Sequence, residues 1–329
     1  MRQTVSIVAG VAACLLAASC PASASALGDA QLVPATQALQ AGEADKALSL
    51  LNSLPNGGAQ IAEAQNVKCR VHYALQMWDD AQKDCENAVR LDASNSDYHL
   101  WLGRALGEKA SRASFLSAYS LAKRVKQEFQ TAAQLNPRNA DALASLGDFD
   151  QQAPGAVGGG VDKAEAVAAQ LDKVDAALAH ELRAHIAEGK KDYGTAEREF
   201  KQSVSVGAHP AKQWTSLADF YRRRSQWDDM ENAIHSCVNA EARDKPASVA
   251  LFDGAGILTE ANHDPSLAAK MLSDYLAGSS KTEDAPAFEA HVRLARLKKQ
   301  LGDSAGAQRE KAAALALAHD YKPALDLKF

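Results

Sequence analysis

The chain has 329 residues, 47% hydrophobic and 23% charged, with 36 Lys and Arg against 41 Asp and Glu for a net charge of −5. This composition carries enough apolar surface for a folded core and excludes an intrinsically disordered chain. Charge is nearly balanced and Arg222-Arg223-Arg224 is the only dense basic spot, which argues against nucleic acid as a partner.

The first segment carries Arg2, an apolar stretch from Val5 to Ala18, and then Ala22-Ser23-Ala24-Ser25-Ala26. A charged start, a short apolar core and small residues at a cleavage point predict a secretory signal peptide over residues 1–26. The apolar stretch is too short to cross a bilayer comfortably, and no later stretch approaches about 20 uninterrupted apolar residues. The mature chain is therefore expected to be periplasmic or secreted, without a transmembrane segment. Ala17-Ala18-Ser19-Cys20 offers a competing reading, a lipid anchor at Cys20.

From residue 27 to 329 one signal recurs. A short polar or Gly turn leads into a helix with a small buried residue, as in Gly42-Glu43-Ala44-Asp45-Lys46-Ala47, Trp78-Asp79-Asp80-Ala81, Asp192-Tyr193-Gly194-Thr195-Ala196 and Trp227-Asp228-Asp229-Met230. Anchors at Ala47, Ala81, Val125, Ala164, Ala196, Met230, Ala268 and Ala307 are spaced by 34, 44, 39, 32, 34, 38 and 39 residues. A period near 34 is that of the tetratricopeptide repeat, a helix pair that buries its apolar face only against its neighbours. First helices supply the complementary large-small pairs Leu102-Gly103 and Leu146-Gly147, which fill the space between helices while letting backbones approach. The expected fold is all-α: a superhelical solenoid of about eight degenerate tetratricopeptide-like pairs, with a tail around Lys322-Pro323 as a cap.

Two irregular stretches interrupt the period, near residues 107–120 and 153–162. The first holds Gly107-Glu108-Lys109-Ala110-Ser111-Arg112-Ala113-Ser114. The second holds Ala153-Pro154-Gly155-Ala156-Val157-Gly158-Gly159-Gly160-Val161-Asp162-Lys163-Ala164. Between them, residues 136–149 read NPRNADALASLGDF. Together these resemble a family of exported bacterial tetratricopeptide proteins over roughly Gly103 to Phe200, the glycine loop being the most specific part. The resemblance implies the fold and export, and no activity. The glycine loop itself admits two readings. Its amides could cradle an anion at a helix N-terminus, or it is a tight linker that reorients one helix pair.

Catalytic, metal and cofactor constellations are not recognisable. His180 and His185 flank a Glu-containing stretch, but five residues place them about 140° apart on a helix, whereas a zinc motif needs four. With Cys14 and Cys20 in the leader, Cys69, Cys85 and Cys237 remain. Cys69 and Cys85 stand nearly equally far from the turn near Met77-Trp78, so they face each other across a hairpin and read either as a disulfide in an oxidising compartment or as two small buried hydrophobes. Cys237 reads as core.

Offsets from the Leu-Gly landmarks map Asn66, Arg70, Tyr73, Arg104, Asp148, Arg222 and Arg223 toward the concave face that such arrays use for ligands. Arginines among mixed charge suit an acidic or extended peptide. Trp78, Tyr193, Trp214 and Trp227 read as packing. The expected function is non-catalytic: a scaffold in the cell envelope that binds another protein or peptide in its groove. The alternative is a periplasmic tetratricopeptide carrier of a small molecule or lipid associated with transport.

Overall fold

The computed structural model describes residues 23–243 and 249–328, with side chains from residue 32 onward. Residues 1–22 of the expected leader, with Cys14 and Cys20, lie outside the described part, and its last four residues fall in the first helix. Among the described residues there is no strand. Helices pair in chain order: Ser23–Gln40 (α1) with Ala44–Asn52 (α2), Ala62–Ala74 (α3) with Trp78–Leu91 (α4), Ser96–Arg112 (α5) with Phe115–Leu135 (α6), and Ala140–Gln152 (α7) with Val161–Leu171 (α8). Four more follow: Ala176–Gly189 (α9) with Tyr193–Val206 (α10), Pro210–Arg223 (α11) with Trp227–Glu241 (α12), Val249–Ala261 (α13) with Pro265–Ala277 (α14), and Ala287–Gln300 (α15) with Ser304–Leu317 (α16). A short helix, Lys322–Leu325 (α17), ends the array.

Six of the eight turns inside pairs share one device. Gly42, Gln76, Lys191, Ser225, Asn262 and Gly302 each have positive φ, and the next amide bonds back five residues, as in Met77 N to His72 O and Asp192 N to Ala187 O, both 2.9 Å. This left-handed cap satisfies the last carbonyls of those six first helices, whereas α5 and α7 end on extended residues, Ala113 and Ala153. Only two of the six positions are glycine, so composition alone does not mark these turns. The following helices start on side-chain caps where a short polar residue is available: Asp192 accepts from Thr195 N, Asp264 from Leu267 N and Asp303 from Gly306 N.

All eight anchor residues fall in second helices and are at most 4% exposed. The glycines beside them are steric requirements. A Cβ on Gly103 would lie 2.5 Å from the Phe129 ring, and one on Gly147 would run into the Leu182 side chain. The irregular stretch near 107–120 is not a loop: it lengthens α5 to 17 and α6 to 21 residues. Phe115 and Leu116 stand at the tip of that long hairpin, 84% and 81% exposed.

First helices pack on first helices of neighbouring pairs from α1 to α13, which makes them the inner wall. The array then closes on itself. Leu32, Leu39, Leu51 and Val67 from the first pairs share one core with Phe288, Val292, Ala314, Tyr321 and Ala324 from the last. Phe288 and Tyr321 meet edge to face at 4.7 Å, Gln76 donates to the Tyr321 hydroxyl at 3.3 Å, and Asp45 accepts from the His319 amide at 2.9 Å. The tail around Lys322-Pro323 therefore seals a seam between first and last pairs as well as ending the last helix.

Candidate functional site

The inner wall gathers the sequence-mapped residues into separate groups. Arg70, Tyr73 and Arg104 collect around Trp101. The Arg70 guanidinium carbon lies 5.5 Å and that of Arg104 4.8 Å from the Trp101 ring centre, and Tyr73 meets Trp78 and Trp101 edge-on at 5.4 and 5.5 Å. Arg70 is not a free groove cation. It forms a two-pronged pair with Glu283, with Nε to Oε2 at 2.8 Å and a shorter second contact from the other prong. That pair ties α3 to the loop before α15 and forms part of the seam. Arg104 reaches Asp141 at 3.9 Å. Burial is the main cause that pushes the Tyr73 phenol up to about 12, so it stays protonated at neutral pH.

Asn66 differs from its expected place. It is 2% exposed, because α3 is covered by α1, α2, α4 and α5, and its Oδ1 has no hydrogen-bond partner. It does not line the groove. Asp148 does, beside Phe149 and Gln152 in a cavity of about 410 Å³. The surrounding walls crowd its carboxylate, and burial raises its pKa.

Arg222 and Arg223 share Asp219. Arg222 Nε lies 2.7 Å from Asp219 and its terminal nitrogen 3.2 Å from Glu260. Arg223 takes both oxygens of Glu188 at 2.9 Å and a closer contact to Asp219. Burial would raise Glu188, but hydrogen bonds from His185 and Arg223 outweigh it and hold the carboxyl well below its usual range. Only Arg222 of these two borders the cavity that also holds Ser216, Asp253 and Arg293, about 370 Å³ in volume. Burial pushes Asp253 up to about 6, and it makes no hydrogen bond or ion pair among the described residues.

The arginines that suggest an acidic ligand are thus engaged by the protein's own carboxylates. Sequence reading missed Trp101, Asp219, Asp253 and Glu283. Trp101 carried a usable signal, since it directly precedes the Leu102-Gly103 landmark and lies three residues before Arg104. Glu283 carried none, because its partner is 213 positions away.

Elsewhere the groups sort into structural roles. The three glycine amides of the loop before α8 are used internally: Gly158 N by Gly155 O, Gly159 N by Pro154 O and Gly160 N by Asp150 O, at 3.0, 3.3 and 2.7 Å. The glycine amides themselves are therefore not available to an anion, which favours the tight-linker reading. Beneath the loop, Lys126 and Asp150 form a buried ion pair at 2.5 and 2.6 Å. His180 bonds Glu199 at 2.7 Å, while His185 packs on Phe200 at 5.2 Å. Among the described residues no group of His, Cys, Asp and Glu could hold a metal ion, and no helix is long and apolar enough to cross a membrane. A disulfide joins Cys69 on α3 to Cys85 on α4, with Cα atoms 5.1 Å apart. Cys237 is buried and free, and burial pushes its thiol up to about 12, the opposite of a reactive thiolate.

The helix-pair order, the left-handed turn caps and the first-helix inner wall decide the architecture. The fold is a tetratricopeptide-like solenoid. Among solved structures the chain is similar to YrrB, described as a TPR protein with an unusual peptide-binding site, at 14% identity and a TM-score of 0.36 over 60% of this chain and 95% of that one. A likeness of this extent transfers no residue and no ligand. No protein-family model matches the chain, and no curated protein gives a significant match.

Proposed function

We propose that this tetratricopeptide-like chain is a non-catalytic interaction scaffold of the cell envelope, exported by its N-terminal segment, that holds a peptide segment or partner helix against its inner wall. One observation carries the reading: the inner wall built from successive first helices carries charged groups, Arg70, Arg104, Asp148, Asp219 and Arg222 among them, beside the aromatic rings of Tyr73 and Trp101. Such a surface offers hydrogen-bonding and ionic partners at regular intervals along an extended chain. A lipid carrier would want an apolar lining, and the cavity around Arg222, Asp253 and Arg293 is not of that kind. The Cys69–Cys85 disulfide supports an oxidising compartment, as does the leader pattern.

The test is capture by the mature protein from envelope extract, with mass spectrometry of retained proteins and small molecules. The expected result is a reproducible protein partner that is lost on Arg222→Glu. Retention of a small molecule without any protein would overturn the scaffold reading and favour the carrier.

A further inference from the structure

Where the array closes, a cavity of about 270 Å³ is formed jointly by the first and last repeats. One side is the aromatic trio Tyr73, Trp78 and Trp101, and the other is the loop before α15 with Glu283 and Asp284. The cavity exists only because the seam is shut, and its chemistry is neither that of an apolar pocket nor that of an anion site.

Its acidic groups can be followed one by one. Glu283 is taken by Arg70, Glu108 by Arg112 and Glu289 by Arg293. Asp284 remains: it makes no ion pair or hydrogen bond among the described residues, and it is exposed. The Tyr73 hydroxyl likewise has no hydrogen-bond partner among them. The aromatic rings already attract flat cations of the protein itself, with Arg112 4.6 Å from the Trp78 ring centre and two guanidinium groups on Trp101. Ring faces of this kind favour positive charge. A carboxylate without a counter-ion and a phenol oxygen free to accept share the cavity with them.

We infer that this seam cavity binds one cationic side chain, a lysine or arginine of a peptide lying along the inner wall, with Asp284 as counter-ion and the Tyr73 hydroxyl as acceptor. The volume suits one side chain and not a folded ligand. This deepens the scaffold reading and rests on it, and it reverses the acidic-peptide expectation, because the groove arginines are already paired. A cation here also bridges first and last repeats, so occupancy of the cavity strengthens closure.

The probe is an acetylated, amidated pentapeptide Gly-Ala-Lys-Ala-Gly, titrated to millimolar concentration while tryptophan fluorescence is followed in a Trp214→Phe, Trp227→Phe background that leaves Trp78 and Trp101 as the emitters. Matched peptides carry norleucine or glutamate at the centre. The lysine peptide is expected to bind and the other two are not. Asp284→Asn is expected to weaken binding at least tenfold, and Tyr73→Phe severalfold. Asp284 is exposed, so its variant keeps the fold, which circular dichroism verifies. Equal binding of the norleucine peptide, or unchanged affinity in Asp284→Asn, would overturn the inference. Absence of lysine-peptide binding alongside a protein partner still captured through Arg222 would sink the cavity assignment and leave the scaffold standing; loss of both would end both.

Discussion

Asp150→Asn removes one charge from the most deeply buried ion pair that the structure describes. Asp150 is 1% exposed and Lys126 7%, and the ammonium sits 2.5 and 2.6 Å from the two carboxylate oxygens. At an effective dielectric constant of about 20, attraction at this range is on the order of 6 kcal/mol. Desolvating each ion costs several kcal/mol, so the intact pair is close to neutral in its net effect. Taking away one partner leaves the ammonium desolvated and uncompensated, at a cost of about 3–5 kcal/mol. Asparagine is nearly isosteric and keeps the backbone carbonyl that accepts from Gly160, so the glycine loop retains its hydrogen bond and the effect reports the charge. Urea unfolding followed by circular dichroism at pH 7 should show a lower midpoint with an unchanged slope. The double variant Lys126→Met with Asp150→Leu should recover most of the loss, since an apolar pair of similar volume replaces the ions. A single variant within about 1 kcal/mol of the parent, or a double variant no better than the single, would show that the buried ammonium does not depend on Asp150 for compensation.

Three further outcomes follow from other parts of the array. Reducing the Cys69–Cys85 disulfide, which spans a sequence separation of 16, should lower stability by about 3 kcal/mol; an unchanged denaturation midpoint in reductant would contradict it. Gly159→Ala places a Cβ against the Ala153 carbonyl, whereas Gly155→Ala meets nothing within 4 Å. The first should destabilise by about 1–3 kcal/mol and the second should not, and equal melting temperatures would show that the loop is not the tight turn described. Asp253 has its carboxyl pushed from 3.8 up to about 6 by burial. A raised folded value means that ionisation opposes folding, so the penalty is absent below about pH 4 and grows as pH rises through the folded value. Asp253→Asn should therefore raise stability at pH 8 by on the order of 3 kcal/mol and leave it unchanged near pH 3.5; a gain independent of pH would point to packing instead.

The repeat architecture was legible because it is local. Anchors such as Ala81 and Ala196 recur at the repeat period, and their burial depends only on the adjacent helix. The Cys69–Cys85 pairing was legible for the same reason, both residues lying in one hairpin. The seam was not. Arg70 with Glu283 and Asp45 with His319 are joined across 213 and 274 positions, and a helical offset cannot reveal that a groove arginine has a partner at the far end of the chain. Asn66 shares a helical face with Arg70, yet packing around α3 buries it, since periodicity gives direction and not depth. The long α5–α6 hairpin read as an insertion because Gly107 and the Ser-rich run weaken the helical pattern, although helix continues through residues 107–112 and from 115 onward.

A protein partner is proposed to lie against the inner wall. A photo-crosslinking residue placed at Ser216, which lines the cavity with Arg222 and Asp253, and in parallel at Gln202 on the exposed face of α10, tests it in intact cells. A discrete protein adduct is expected from position 216 and none from position 202. Adducts from both positions alike, or from position 202 alone, would contradict it.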